Sequence, residues 1–242
     1  MMSLTDNPNL PRITEFFAAA RALFPHCLVQ QPPINSTAIA RFFGEIGQPI
    51  ADARSRGVFL NPWSMVRVDR LEVINSAVLT QFWDPRRSGS RAAAFLNAFF
   101  RRIERGRDCH LPSKSELDMG YAITAEANPM AELSDRLDIL IETKTQIVGI
   151  EIKIDAGEGV EQLARYRAAL GRLAAISPGK QGWSLIYLTR TGADPGEVVP
   201  ASWRDISVSA RHIAPVKAAE REFSDWLILA FADHVSTFQT TS

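Results

Sequence analysis

Three ionisable residues near the middle of the chain have types and spacing that suit chemistry: Asp138, then Glu151 and Lys153 thirteen and fifteen positions on. In 146–154 (QIVGIEIKI), period-two alternation puts Ile147, Gly149, Glu151 and Lys153 on one strand face and Val148, Ile150, Ile152 and Ile154 on the other. In 136–142 (RLDILIE), Arg136, Asp138, Leu140 and Glu142 share a face opposite Leu137, Ile139 and Ile141. The connection Thr143-Lys144-Thr145-Gln146 is short enough for a hairpin. Facing residues of an antiparallel pair have a constant sum of residue numbers. A turn centred between Lys144 and Thr145 sets that sum so that Asp138 faces Glu151, with Cβ atoms roughly 4.5–5.5 Å apart. Two carboxylates that close disfavour each other's ionisation unless a cation sits between them. Oxygen ligands of this kind suit Mg²⁺ or Mn²⁺, which keep waters and use few carboxylates. Lys153 projects from the same face, where an ammonium can orient an attacking water and offset charge growing on a phosphate. Gly149, also on that face, predicts room for a ligand. Glu-X-Lys alone recurs by chance; the register-matched acids on aliphatic strands carry the signal.

Elements on both sides must hold this hairpin. Periodicity and breakers predict helices over 12–24, 36–47, 70–83 (stopping at Asp84-Pro85) and 91–105, the last with Phe95, Leu96, Phe99 and Ile103 on one buried face. After Gly106 the pattern turns to strands over 121–127, 136–142 and 146–154, a helix over about 159–175 and a strand over 183–189. A short strand near 205–209 and a closing helix over 216–236 complete it. That order predicts an α/β fold: a mixed β-sheet flanked by helices, with a small N-terminal helical extension. The expected organisation is an extension over 1–58 and a main domain over 59–242.

Composition narrows the partners. The 242 residues are 46% hydrophobic and 22% charged, with zero formal net charge, so a nucleic-acid partner must meet a local basic patch. The only lysines are Lys114, Lys144, Lys153, Lys180 and Lys217; arginine, whose planar fork matches phosphate oxygens, makes up the rest of the basic residues. Codon bias explains that preference equally well. Cys27 and Cys109 have no paired spacing, so neither a disulfide framework nor a thiolate zinc site is expected. His110, His212 and His234 have no ligand spacing. The first residues do not read as a secretory signal, and no apolar run approaches the ~20 residues of a bilayer crossing. The expectation is a cytoplasmic protein with no membrane partner.

Asp138 followed by Glu151-Ile152-Lys153 on the next strand resembles the motif of the PD-(D/E)XK nucleases, which have the restriction-endonuclease-like fold. Leu137 stands where a proline often precedes the aspartate. Gln162 and Tyr166, four apart on one helix face, are similar to a Q-xxx-Y element that lines the active site in the nuclease domains of recombination exonucleases and their relatives. Glu72 and Ser76, then Trp83-Asp84-Pro85, Gly89 and Phe95-Leu96, resemble one subgroup, as do Tyr187-Leu188-Thr189 and Gly192. The resemblance covers about residues 60–240. It implies a metal site of Asp138, Glu151 and the Ile152 carbonyl, with Glu72 as an extra acid, and catalytic roles for Lys153, Gln162 and Tyr166. It also implies a Mg²⁺- or Mn²⁺-dependent phosphodiesterase acting on nucleic acid, DNA before RNA, in host defence or DNA processing; double-strand cleavage would call for a homodimer.

Plainer roles compete for several of these residues. Glu72 suits a helix N-terminus on dipole grounds, and Gln162 and Tyr166 suit packing of their helix. Glu126 and Glu132 are further acids near the first strand. Arg86, Arg87, Arg91 and Arg136 are candidate nucleic-acid contacts, and Arg101, Arg102, Arg105 and Arg107 form a second basic run that is as readily a solvated face. The rival class is a nucleic-acid-binding or scaffold protein that keeps the fold without catalysis.

Overall fold

A computed structural model describes residues 35–55, 60–66, 68, 70–107, 109, 111–127, 136–155 and 160–239. The expected helix over 12–24 lies outside the described residues, as do Cys27, His110 and Glu132. The chain divides into two compact units, Met1–Phe59 and Leu60–Ser242. In the first, helix α1 (Ser36–Ser55) runs beyond the expected end at 47 and carries Pro49 inside it; none of its residues is buried.

In the second unit, a four-residue turn of helix, α2 (Pro62–Met65), precedes α3 (Glu72–Trp83), α4 (Pro85–Ser88) and α5 (Ser90–Ile103). Helix α3 ends where expected, because Asp84 leaves helical geometry and its carboxylate accepts the Arg86 N–H that starts α4. Buried Ala92, Phe95, Leu96, Phe99, Phe100 and Ile103 give α5 one apolar stripe, and the Trp83 ring stacks on Phe99 at 5.4 Å. A short helix α6 (Lys114–Asp118) that the periodicity did not suggest follows. Then come β1 (Ala122–Ala127), β2 (Leu137–Glu142), β3 (Gln146–Ile152), α7 (Val160–Ile176), β4 (Gly182–Thr189), β5 (Val199–Ser202), α8 (Trp203–Ile213) and α9 (Phe223–Ser236).

The five strands lie in the order β1-β2-β3-β4-β5; the first two pairings are antiparallel and the last two parallel, the mixed sheet expected. The hairpin has the predicted register: Ile139 pairs with Ile150 and Glu142 with Ile147, so the next step outward sets Asp138 across from Glu151. Val148, Ile150 and Ile152 pack with α3, α5, α8 and α9 on one side, while Ile147, Leu140 and Leu185 pack with Leu163, Tyr166 and Leu170 of α7 on the other.

Four expectations need correction. The segment 205–209 is not a strand: it lies inside α8, and the strand is Val199–Ser202 just before it. Ser202 and Asp205 form a reciprocal capping box that starts the helix there. The closing helix begins at Phe223 rather than 216, after a 3₁₀ turn over Ala218–Glu220. Leu137 packs with Leu140 and Ile147 rather than with Ile139 and Ile141. The alternation is lost where the β1–β2 ladder passes Glu126, whose φ is +49°. Finally, Gly149 makes no room for a ligand. A Cβ there would lie 2.8 Å from Leu170 Cδ1 and 3.0 Å from Leu137 Cδ1, so the missing side chain admits α7.

The β2–β3 turn is held from outside. Glu116 of α6 accepts hydrogen bonds from the Thr143 hydroxyl, the Thr145 N–H (3.1 Å) and the Thr145 hydroxyl (2.5 Å). Partial burial pushes the Glu116 carboxyl up, but those hydrogen bonds and the charge of Lys180 outweigh it and hold the group below its ordinary value. A lowered folded pKa adds stability that is present above the unfolded value and lost as pH falls through the folded one. Glu116→Gln is therefore expected to cost about 1–2 kcal/mol at neutral pH, shrinking toward nothing below about pH 4, as urea denaturation at both pH values would read.

Candidate functional site

Four elements converge on the end of the hairpin. Strand β2 supplies Asp138, β3 supplies Glu151 and the Ile152 backbone, and Lys153 follows at the strand's exit, where its N–H donates to the Leu188 carbonyl at 2.8 Å. Glu72 is the first residue of α3, and Gln162 and Tyr166 lie one turn apart on α7. The alternation that buries Ile150 and Ile152 forces Glu151 and Lys153 to the α7 side, and the hairpin register brings Asp138 beside them.

The side chains form one connected set. Asp138 Oδ2 accepts the Ile152 N–H at 2.8 Å. Lys153 Nζ lies 3.2 Å from Glu151 Oε1 and 3.5 Å from Glu72 Oε2, bridging the two acids. The other Glu72 oxygen accepts the Ile154 N–H at 2.7 Å, so α3 clasps the chain just beyond the strand. Gln162 Nε2 reaches Glu151 Oε1 at 3.5 Å and donates to the Tyr166 hydroxyl at 2.5 Å. The Glu151 side chain is only 3% exposed and Lys153 17%, while Glu72 keeps 27%.

Burial is the main influence on Asp138 and raises its carboxyl pKa, and the negative charge of Glu72 pushes the same way. The Ile152 hydrogen bond and the charges of Lys153 and Arg136 pull down without reversing it. An ionised Asp138 is thus an expensive group that a further positive charge would relieve. The donors are hard oxygens, and among the described residues no three His, Cys, Asp or Glu side chains converge tightly enough to enclose an ion. A Mg²⁺-type ion, which keeps several waters and takes one or two carboxylates, fits such an open site on Asp138 and Glu151.

Residues that sequence reasoning did not single out complete the frame. Arg70, two positions before Glu72, pairs with Asp155 at 2.9 Å, two positions after Lys153, and also reaches the Phe238 carbonyl. No local pattern announces a contact between segments so far apart. Of the candidate arginines, Arg136 lies 3.7 Å from Glu126 and its charge is felt at Asp138. Arg86 pairs with Asp84, Arg87 is exposed, and Arg91 reaches Asp225 at 3.1 Å; none of the three is hydrogen-bonded to Glu72, Asp138 or Glu151. Other motif residues serve the fold. Phe95 and Leu96 are core, Ser76 bonds the Val73 carbonyl, and Gly89 turns the chain at φ +53°. The Thr189 hydroxyl accepts the N–H groups of Gly192 and Ala193 to close the end of β4. His234 packs against Phe238, its ring centroid 5.1 Å away, inside the core.

A mixed sheet carrying an acid, a second acid two residues before a lysine, and a flanking helix glutamate defines a restriction-endonuclease-like protein. The family model of the PD-(D/E)XK nuclease superfamily matches residues 60–237, and the chain belongs to that superfamily. Its function is of the nuclease type, with nucleic acid as substrate, and such nucleases generally use divalent metals. No curated protein and no solved structure gives a significant match. Among the described residues, no helix is long and apolar enough to cross a membrane.

Proposed function

We propose that Leu60–Ser242 is a divalent-metal-dependent deoxyribonuclease whose active centre is Asp138, Glu151 and Lys153, with Glu72, Gln162 and Tyr166 around them. The observation that carries this reading is the placement of the Lys153 ammonium between Glu151 and Glu72, next to an Asp138 that burial makes hard to ionise. Asp138, Glu151, the Ile152 carbonyl and Glu72 are the residues that would hold Mg²⁺ or Mn²⁺. Such an ion, when bound, makes water more acidic and stabilises charge on the phosphate. Lys153 orients the attacking water and offsets charge on the phosphate oxygens. As the water oxygen bonds to phosphorus it gives up one proton, one ester P–O bond breaks, and the departing alkoxide takes up one proton, leaving a phosphomonoester and an alcohol. Gln162 holds the Glu151 carboxylate in place, and Tyr166 fixes the Gln162 amide. Action in the cytoplasm, in host defence or DNA processing, belongs to the same proposal, as does a homodimer for double-strand cleavage.

An assay with end-labelled linear, circular and single-stranded DNA, and with labelled RNA, in Mg²⁺, Mn²⁺ or EDTA tests the proposal. Metal-dependent loss of the DNA label is expected, and comparison of circular with linear DNA separates endonuclease from exonuclease action. RNA cleavage in place of DNA cleavage would move the substrate class. Folded protein that cuts nothing in either metal would leave the scaffold reading standing. Tyr166→Phe removes the oxygen that accepts from Gln162 and, by loosening the support of Glu151, is expected to lower cleavage about tenfold at low Mg²⁺ and by less at saturating Mg²⁺, as rates over a Mg²⁺ titration would read.

A further inference from the structure

Strand β3 ends at Ile152, and Lys153 stands on the first residue beyond it. Three consecutive residues there are pinned to different parts of the fold. The Lys153 N–H donates to the Leu188 carbonyl of β4 at 2.8 Å, and the Ile154 N–H donates to Glu72 at 2.7 Å. Asp155 Oδ1 then accepts from Arg70 Nη1 at 2.9 Å. Arg70 lies two positions before Glu72, and Asp155 two positions after Lys153, so the segments meet through two ion pairs of opposite order: Arg70 with Asp155, and Glu72 with Lys153 at 3.5 Å. A slip that set Arg70 against Lys153 and Glu72 against Asp155 would face like charges. The outer pair therefore selects the register of the inner one.

Arg70 is also held from behind. Its Nη2 donates to the Phe238 carbonyl at 3.4 Å, and Phe238 is 1% exposed, its ring centroid 5.3 Å from that of Trp203. The planar guanidinium fork thus joins the closing turn of the chain to the segment that follows β3, with 34% of the side chain exposed. A surface ion pair with no further partner has neither this backing nor a catalytic lysine two residues from its acid.

We propose that Arg70 is a positioning residue: its hold on Asp155 fixes the chain just past Lys153 and so sets where the Lys153 ammonium stands between Glu151 and Glu72. It acts through Lys153 and Glu72, not on the phosphate. The inference rests on the nuclease reading for its effect on rate, while the clasp itself can be read without cleavage. A partly solvated ion pair adds little to stability, whereas moving a catalytic group by about 1 Å costs on the order of 10²-fold in rate. The signature is a loss of rate with little loss of stability.

The test uses the full chain with Arg70→Ala, Arg70→Lys, Asp155→Ala and the Arg70→Ala/Asp155→Ala pair, and Arg70→Ala placed on Lys153→Ala. Lys217→Ala, which opens the exposed Lys217–Glu220 pair, is the control. Amide hydrogen exchange followed by NMR in EDTA is expected to show the Ile154 N–H exchanging about tenfold faster in Arg70→Ala, with the melting temperature lower by only about 2–4 °C and the control like wild type. Single-turnover cleavage at saturating Mg²⁺ is expected to fall about tenfold or more in Arg70→Ala and in Asp155→Ala, with KM for DNA little changed. The double variant should be no slower than either single one, and Arg70→Lys, which keeps the charge without the fork, should lie between Arg70→Ala and wild type. On Lys153→Ala, Arg70→Ala should cost nothing further. Unchanged Ile154 exchange would overturn the proposal, as would faster exchange with cleavage unaltered, or an equal loss of rate on the Lys153→Ala background. Wild-type protein that cuts neither DNA nor RNA would sink the nuclease reading alone; the Ile154 exchange would then decide the clasp by itself.

Discussion

Lys153→Ala is expected to lower single-turnover cleavage by about 10²–10³-fold at saturating Mg²⁺, the size of effect seen when one preorganised positive or donor group is withdrawn from a developing anion. The substitution also has a consequence for the resting protein. It removes the ammonium that lies 3.2 Å from Glu151 and 3.5 Å from Glu72, while Glu151 stays 3% exposed. Breaking a buried charge pair costs about 3–5 kcal/mol; because Lys153 and Glu72 are partly solvated here, about 2 kcal/mol is the better expectation. A divalent ion can take over that neutralising role, so added Mg²⁺ should raise the melting temperature of Lys153→Ala more than that of the wild type. Rapid-quench kinetics and melting curves with and without Mg²⁺ read the two effects separately. Cleavage within a few-fold of wild type would remove Lys153 from the active centre.

Arg91→Ala is expected to act on stability and leave DNA affinity alone. The Asp225 side chain is fully buried; its Oδ2 takes the Arg91 guanidinium at 3.1 Å and the Glu222 N–H at 3.0 Å, while Oδ1 has no hydrogen-bond partner. The same guanidinium reaches the Ile213 carbonyl at 3.4 Å, so Arg91 joins the start of α5 to the end of α8 and the first turn of α9. Removing it strands a buried carboxylate, at a cost of about 3–5 kcal/mol, which for a unit of this size lowers the melting temperature by about 10 °C. Asp225→Asn in the same chain should recover a large part of that loss, since the uncompensated charge goes with it. An unchanged melting temperature accompanied by weaker DNA binding would instead make Arg91 a phosphate contact.

Much of the site was legible in local pattern. Strand alternation separates Glu151 and Lys153 from Ile150 and Ile152, a short turn sets the hairpin register, and helical spacing pairs Gln162 with Tyr166. All three need only near neighbours in the chain, because backbone period and turn length fix which side chains share a face. The strand expected at 205–209 gives way to α8, which the Ser202–Asp205 capping box, itself a chain-local signal, starts at Trp203.

Other features exist only in three dimensions. The Glu72–Ile154 hydrogen bond spans 82 residues, and nothing near either end of it foretells the other. Gly149 looked like an opening for a ligand, yet Leu170 of α7 fills it; an empty Cβ position has no meaning until the element that packs there is known. Arg91 stands in sequence among the candidate nucleic-acid contacts, and the burial of Asp225 decides what it neutralises. Sequence by itself determined the elements, the facing of the hairpin acids and the residues of the charged centre, since these follow from chain-local geometry. Tertiary packing alone decided which surfaces close over that centre and which charges it desolvates, because burial is a property of elements brought together from distant parts of the chain.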